Sequence, residues 1–276
     1  MRLGLSSPLH HESPEQWADQ MNALGAGAVV FPLDYTATDA EISAYVKAAQ
    51  NYDLLIAEVG VWRNTLAKDL KERRQWIDYA VHQLELAEEV GARCCVNVVG
   101  TPCGPRWDGG YRGNFSPQVW EEAVEMIQEI IDRVKPERTK YSIESMPWMI
   151  PSGPDEYLRL MEDVDRLEFG AHLDVINMIT SPERYFFNDA FLEECFTKLK
   201  GKICSCHLKD IQLQEEYTFC LREVACGEGS LDLSKYMELA TLEDPDMPMI
   251  IEHLDSDEEY KRSLSYVQSL FPYKER

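Results

Sequence analysis

The chain is short of basic side chains: across 276 residues, 27 Lys and Arg stand against 49 Asp and Glu, a formal net charge of −22 with histidines neutral. Neutralising phosphates with Lys and Arg supplies most nucleic-acid affinity, and anionic lipid heads attract the same side chains. The deficit argues against nucleic-acid and membrane partners and reads as a solubility shell. No apolar run approaches the roughly 18 residues that span a bilayer, and the opening Met1 to Pro8 (MRLGLSSP) lacks the apolar core of about 7 to 15 residues found in secretion signals. A cytoplasmic protein is expected. Paired Cys-x-x-Cys spacing is also missing. The eight cysteines include Cys94-Cys95 and Cys204-Ser-Cys206, which suit neither a zinc knuckle nor a local bridge, so reduced thiols serving as small core residues are expected. No glycine-rich loop has a phosphate-cradle pattern, and no Gly, Ser or Pro-rich linker divides the chain, so a single domain over 1–276 is expected.

What is present is a repeat. Short apolar or β-branched runs occur at Arg2–Ser6, Ala28–Pro32, Leu54–Val59, Arg93–Val99, Lys140–Ser145, Glu168–Leu173, Lys202–Leu208 and Met249–His253. Eight runs give one strand and helix roughly every 34 residues, the period of a parallel (β/α)8 TIM barrel of the α/β class. Helical signals fill the gaps. Ser13-Pro14 starts one helix, Thr38 with Glu41 forms a capping box, and a stripe of Trp76, Tyr79, Ala80, Leu84 and Ala87 marks a long helix from Leu66 to Val90 that Gly91 stops. Further helices are predicted over Pro117–Val134, Pro154–Asp165, Asp189–Leu199, Leu233–Leu239 and Asp257–Phe271. Two long irregular stretches, Gly100–Ser116 and Asp210–Ser230, follow the fourth and seventh strands, on the face where such barrels carry their active sites.

Alternation along each strand tells which side chains share the barrel interior. Ser142 and Glu144 point one way and Tyr141 and Ile143 the other. In the seventh strand Ile203, Ser205 and His207 form the inward set, leaving Cys204 and Cys206 to face the helices. Glu144, Asp174, His207 and Glu252 thus sit at the C-terminal ends of four successive strands and face the axis. Three buried carboxylates in one place repel severely unless a cation joins them. Mostly oxygen ligands with one nitrogen suit Mn²⁺ first, with Mg²⁺, Co²⁺ and Zn²⁺ as alternatives.

These residues lie in the motifs IES (Ile143–Ser145), HLDVIN (His172–Asn177), SCHLKD (Ser205–Asp210) and IEHL (Ile251–Leu254). In that order they resemble the xylose isomerase-like TIM barrels, also called sugar phosphate isomerases/epimerases, a group that includes ketose 3-epimerases, inosose and dehydroshikimate dehydratases and endonuclease IV. The resemblance implies Glu144, Asp174, His207 and Glu252 as metal ligands, Glu144 and Glu252 as the catalytic acid/base pair, and homo-oligomers. Ketose epimerases carry a histidine three residues after the ligand aspartate, where this chain has Asn177. Endonuclease IV uses additional histidines, and this chain has six in all.

A metal-dependent isomerase or epimerase of a keto sugar or polyol, working through an enediolate, is the leading expectation. The alternatives are a lyase or dehydratase on the same scaffold, such as one that eliminates from a 3-keto glycoside, and a non-catalytic sugar-binding subunit. His10, Glu58, Trp62, Asn97, Trp107, Trp148, His172, Asn177, Lys209 and Arg222 are candidates to bind a small-molecule sugar or glycoside. The tryptophans offer flat faces for a sugar ring, and His172, Lys209 or His10 could serve a leaving oxygen.

Overall fold

The computed structural model describes residues 1–270. The barrel strands are β1 (Arg2–Leu5), β2 (Ala28–Val30), β3 (Leu55–Gly60), β4 (Cys94–Asn97), β5 (Lys140–Glu144), β6 (Phe169–Leu173), β7 (Ile203–Leu208) and, after a hairpin of β8 (Asp210–Leu213) with β9 (Leu221–Val224), β10 (Pro248–Ile251). All neighbours in the barrel pair in parallel, and β1 closes it by bonding to both β2 and β10. The fold is a (β/α)8 TIM barrel. Among the described residues, no helix is long and apolar enough to cross a membrane.

The helices start and stop where local chemistry dictates. Ser13 caps α1 (Pro14–Ala23) by accepting from the Gln16 N–H, and Thr38 with Glu41 closes a capping box on α2 (Asp39–Asn51). The long helix α3 runs Leu70–Val90 rather than from Leu66, because Asp69 accepts from the N–H groups of Lys71 and Glu72 and so fixes the first turn. Gly91 ends it at φ 72°. Its buried stripe includes Ile77, Ala80, Val81, Leu84 and Ala87, whereas Trp76 and Tyr79 are half-buried beneath the Arg63 guanidinium. There follow α4 (Pro117–Val134), α5 (Pro154–Val164), the short α6 (Val175–Met178) and α7 (Pro182–Phe186), α8 (Asn188–Lys198), α9 (Leu233–Glu243) and α10 (Asp257–Leu270). The expected last residue of that final helix, Phe271, lies outside the described residues.

Two irregularities in strand pairing decide which side chains enter the barrel. Val29 faces Ile56 but Val30 faces Glu58, so Ala57 is an extra residue in β3 and Glu58 turns inward directly after it. Likewise Ala171 faces Ile203 while His172 faces Ser205, leaving Cys204 as the extra residue of β7. This corrects the inward set read from strict alternation: Ile203 packs in the main core with the helices, and Cys204 joins Cys94 and Val96 inside the barrel. All eight cysteines are free, but Cys103 and Cys220 are exposed rather than core.

The stretch after β7 is also not irregular. Asp210 accepts from the N–H groups of Ile211 (2.8 Å), Leu231 (2.9 Å), Gly227 (3.0 Å) and Gly229 (3.1 Å), drawing the outgoing and returning ends of the β8–β9 hairpin together.

The barrel floor tolerates no added bulk at Gly4, where a Cβ would lie 2.4 Å from the Ala28 carbonyl oxygen and 2.7 Å from Ile250 Cδ1. Overpacking of this kind costs about 1 to 3 kcal/mol, so Gly4→Ala is expected to lower Tm by roughly 3 to 10 °C in a thermal melt. An unchanged Tm would contradict the close packing of β1 against β2 and β10.

Candidate metal centre at the barrel mouth

Glu144 ends β5, Asp174 directly follows β6, His207 lies near the end of β7 and Glu252 directly follows β10. The barrel brings one ligand atom from each to within 4.8 Å of the others, and all four are buried. The backbone at these strand ends is clamped from outside. The buried Tyr157 hydroxyl donates to the carbonyls of Ile143 (2.8 Å) and His172 (2.6 Å), and Tyr236 donates to that of Leu173 (3.0 Å). Asp174 is the N-cap of α6: its Oδ1 accepts from the Asn177 N–H at 3.2 Å. That leaves Oδ2 for the cluster, where the Lys209 ammonium stands 2.6 Å away.

Lys209 Nζ lies equally close, 2.6 Å, to Glu252 Oε1, and 3.4 Å from Glu223 Oε2 of the hairpin. His207 Nδ1 stands 2.9 Å from Glu252 Oε2 and 3.3 Å from Glu144 Oε1. The Asn177 amide donates to Glu144 Oε1 at 3.2 Å. Beneath this layer the Glu58 carboxylate takes hydrogen bonds from the Ser205 hydroxyl and from His172 Nε2 (2.9 Å), with His207 Nε2 3.4 Å from its second oxygen.

These charges set one another's protonation. Burial alone would raise every carboxyl group, yet His207 and Lys209 hold Glu252 well below its ordinary range, His207 lowers Glu144, and His172 and His207 hold Glu58 far down. Asp174 goes the other way: burial, with Glu144 and Glu252 adding repulsion against the pull of Lys209, pushes it up to about 7. His207 and Lys209 are raised well above their ordinary values, since the surrounding carboxylates outweigh the burial that disfavours their charge. Three carboxylates and one imidazole, buried and with ligand atoms within 4.8 Å of one another, are a donor set that fits a hard divalent cation.

Of the residues singled out for substrate, Glu58, His172, Asn177 and Lys209 touch the cluster, and the Trp62 ring lies 6.4 Å from that of His207. The others sit elsewhere. Asn97 clamps the loop after β3 through the Arg63 N–H and carbonyl, Trp148 donates its indole N–H to Asp108, and Trp107 lines a groove with Asn64 and Thr101. His10 is exposed in a groove beside Asp257, and Arg222 is exposed on β9. Glu223 and His253 belong to the site without a sequence signal beyond adjacency: His253 Nδ1 is 2.9 Å from Glu223 Oε1 and 3.5 Å from Lys209 Nζ.

Residues 16–270 match the model of the xylose isomerase-like TIM barrels. The chain belongs to that family. No curated protein matches it in sequence. Among solved structures it is similar to a xylose isomerase-like TIM barrel protein from Mycobacterium smegmatis in complex with magnesium, with 17% identity, 93% of this chain and 87% of that one covered, and a TM-score of 0.69. A 3-keto-D-glucoside 4-epimerase from E. coli gives 14%, 98%, 99% and 0.70 on the same measures, and a probable 3-DHS dehydratase from Bacillus anthracis 14%, 97%, 99% and 0.72. Epimerases, a dehydratase and an endonuclease IV all share this scaffold, so the xylose isomerase-like fold does not choose the reaction.

In this member of the family, Lys209→Met would leave Asp174 and Glu252 buried without their shared ammonium. Breaking a buried ion pair from one side costs about 3 to 5 kcal/mol. That loss is expected in denaturant melts of chelator-treated protein, and an unchanged midpoint would show that the ammonium does not balance the cluster.

Proposed function

We propose that the chain is a divalent-metal-dependent isomerase or epimerase acting on a keto sugar or related polyol. The observation that carries this reading is the pair of buried glutamates, Glu144 and Glu252, flanking the same imidazole at the open end of the barrel. The similar 3-keto-D-glucoside 4-epimerase and the D-psicose 3-epimerase from Clostridium cellulolyticum support a keto sugar as the substrate class. Glu144, Asp174, His207 and Glu252 would hold the cation, Mn²⁺ in the first instance. When bound, it would polarise the carbonyl and neighbouring hydroxyl of a sugar, acidifying the hydrogen on the carbon beside the carbonyl.

The chain's own groups do the rest. One glutamate removes that proton and the other returns one, either to the opposite face of the same carbon, which inverts it, or to the former carbonyl carbon, which moves the carbonyl. Asn177 orients Glu144, and Lys209 orients Glu252 and Asp174. The Trp62 face beside His207 offers the ring C–H groups of a sugar an apolar wall.

A second reading rests on Lys209. A buried ammonium 2.6 Å from both Asp174 and Glu252 is placed to donate a proton to a leaving oxygen, which would make the same site a lyase acting by β-elimination.

Incubation with Mn²⁺ in D₂O against a panel of ketoses and 3-keto glycosides separates these outcomes. Epimerisation or isomerisation with solvent deuterium entering beside the carbonyl is expected. Release of water or an aglycone without an epimer would transfer the assignment to the lyase, and no exchange anywhere on the panel would overturn both. Glu144→Gln and Glu252→Gln are each expected to lower kcat by about 10² to 10⁴-fold while the fold survives, and full activity in either would remove its assigned role.

Metal affinity should also depend on pH with a defined sign. Asp174, pushed up to about 7, carries a proton below that pH and must lose it to act as a ligand. Apparent Mn²⁺ affinity, followed by calorimetry, is expected to rise with pH between 5 and 8, by about tenfold or more per pH unit below about 7, because Asp174 and the strongly raised His207 must each lose a proton to ligate. A flat profile between pH 5 and 8 would contradict the assignment of Asp174.

A further inference from the structure

The two ring nitrogens of His207 face different carboxylates. Nδ1 looks into the cluster, 2.9 Å from Glu252 and 3.3 Å from Glu144, whereas Nε2 looks down the barrel axis at Glu58, 3.4 Å away. An imidazole that holds a cation offers one bare nitrogen and keeps its proton on the other. Glu58 is therefore placed to choose which nitrogen that is.

Everything around Glu58 fixes its carboxylate in that role. The extra residue Ala57 in β3 rotates it inward, against the alternation that would send it to the helix layer. Ser205 donates its hydroxyl and His172 its Nε2–H to the same Oε1, and both of these residues are wholly buried. His172 Nδ1 has no hydrogen-bond partner, as befits a bare nitrogen on a ring whose proton is spent on Glu58. With 1% of its surface exposed and His207 above it, Glu58 has no face left for a sugar.

We infer that Glu58 is a positioning residue: it holds His207 with the proton on Nε2, so that Nδ1 is the ligating nitrogen, and raises the basicity of that nitrogen through a fourth, deeper carboxylate. Carboxylate–histidine–metal relays of this kind orient a ligand ring and contribute one to two orders of magnitude to metal affinity. The inference rests on the metal-centre reading above. It replaces a substrate role for Glu58 by an indirect one, and it accounts for the β3 bulge.

The test uses protein labelled with ¹⁵N-histidine and titrated with Zn²⁺, a diamagnetic probe, with long-range ¹H–¹⁵N correlation spectra reporting the state of each ring nitrogen. His207 is expected to show a ligated Nδ1 and a protonated Nε2. Glu58→Gln, which keeps the shape and an acceptor but loses the charge, is expected to bind Zn²⁺ and Mn²⁺ about 10 to 100-fold more weakly. Ser205→Ala removes one of the two donors to Glu58 but leaves the carboxylate and its His172 bond, and is expected to weaken binding less than Glu58→Gln does. Ligation through Nε2 overturns the inference, as does undiminished affinity in Glu58→Gln. If Glu58→Gln does not fold, the spectrum of the unaltered protein decides alone. A protein that binds neither ion overturns the metal-centre reading together with this one, whereas tight binding through Nε2 overturns only the role of Glu58.

Discussion

Repulsion among buried acids is the constraint around which the mouth of this barrel is organised. Glu144, Asp174 and Glu252 share a space less than 5 Å across, with Glu58 just below, at sites almost closed to water. Bringing such charges out of water costs several kcal/mol each unless partners compensate. The compensation visible in the chain is Lys209, bonded to two of the acids, and His207, reaching three. It is incomplete for Asp174, whose carboxyl group burial and the neighbouring glutamates push up to about 7 despite that ammonium. A centre with one acid left short of positive charge suits a cation, and this ties the electrostatics of the site to the proposed chemistry.

The scaffold holds that crowding in place by means that lie outside the mouth. Tyr157 and Tyr236 reach from the helix layer to carbonyls of the β5 and β6 ends, and Ser145 donates to the Asp174 carbonyl at 2.9 Å. Groups that repel one another would otherwise splay the strand ends apart. Neutral side chains fully buried against the backbone oppose that movement without adding charge of their own.

The chain reveals its architecture before its details. Strand spacing gives the barrel, and local alternation gives the inward direction of Glu144, His207 and Glu252, because both depend on residues close in sequence. Alternation fails at Ile203 and Cys204 and at Ala57 and Glu58, since a bulge is a property of two paired strands and neither strand alone encodes it. The hairpin escapes a strand pattern because its legs are short, four residues each, and joined by polar sequence. Glu223 and His253 reach the site through that hairpin and through a left-handed backbone at His253, φ 58°, neither of which a periodicity reports. His10, Trp107, Trp148 and Arg222 share the correct face by strand order, but their placement depends on loop paths, whereas Asn97 ends β4 out of phase with the inward Cys94 and Val96. Asn97 and Trp148, for instance, spend their polar atoms on neighbouring backbone.

One segment carries an unusual share of these duties. Between Ser205 and Asp210, alternate residues hold the inner carboxylate, face the cluster and supply its ammonium, and the last residue gathers four backbone N–H groups at the base of the hairpin. Point substitutions can remove these contacts one at a time. A deletion or insertion of a single residue there would remove them together, because the shift in phase would send Ser205, His207 and Lys209 toward the helices at once. The chain is therefore intolerant of length change in these six positions, and length variation among natural relatives should fall instead in the loop between β8 and β9.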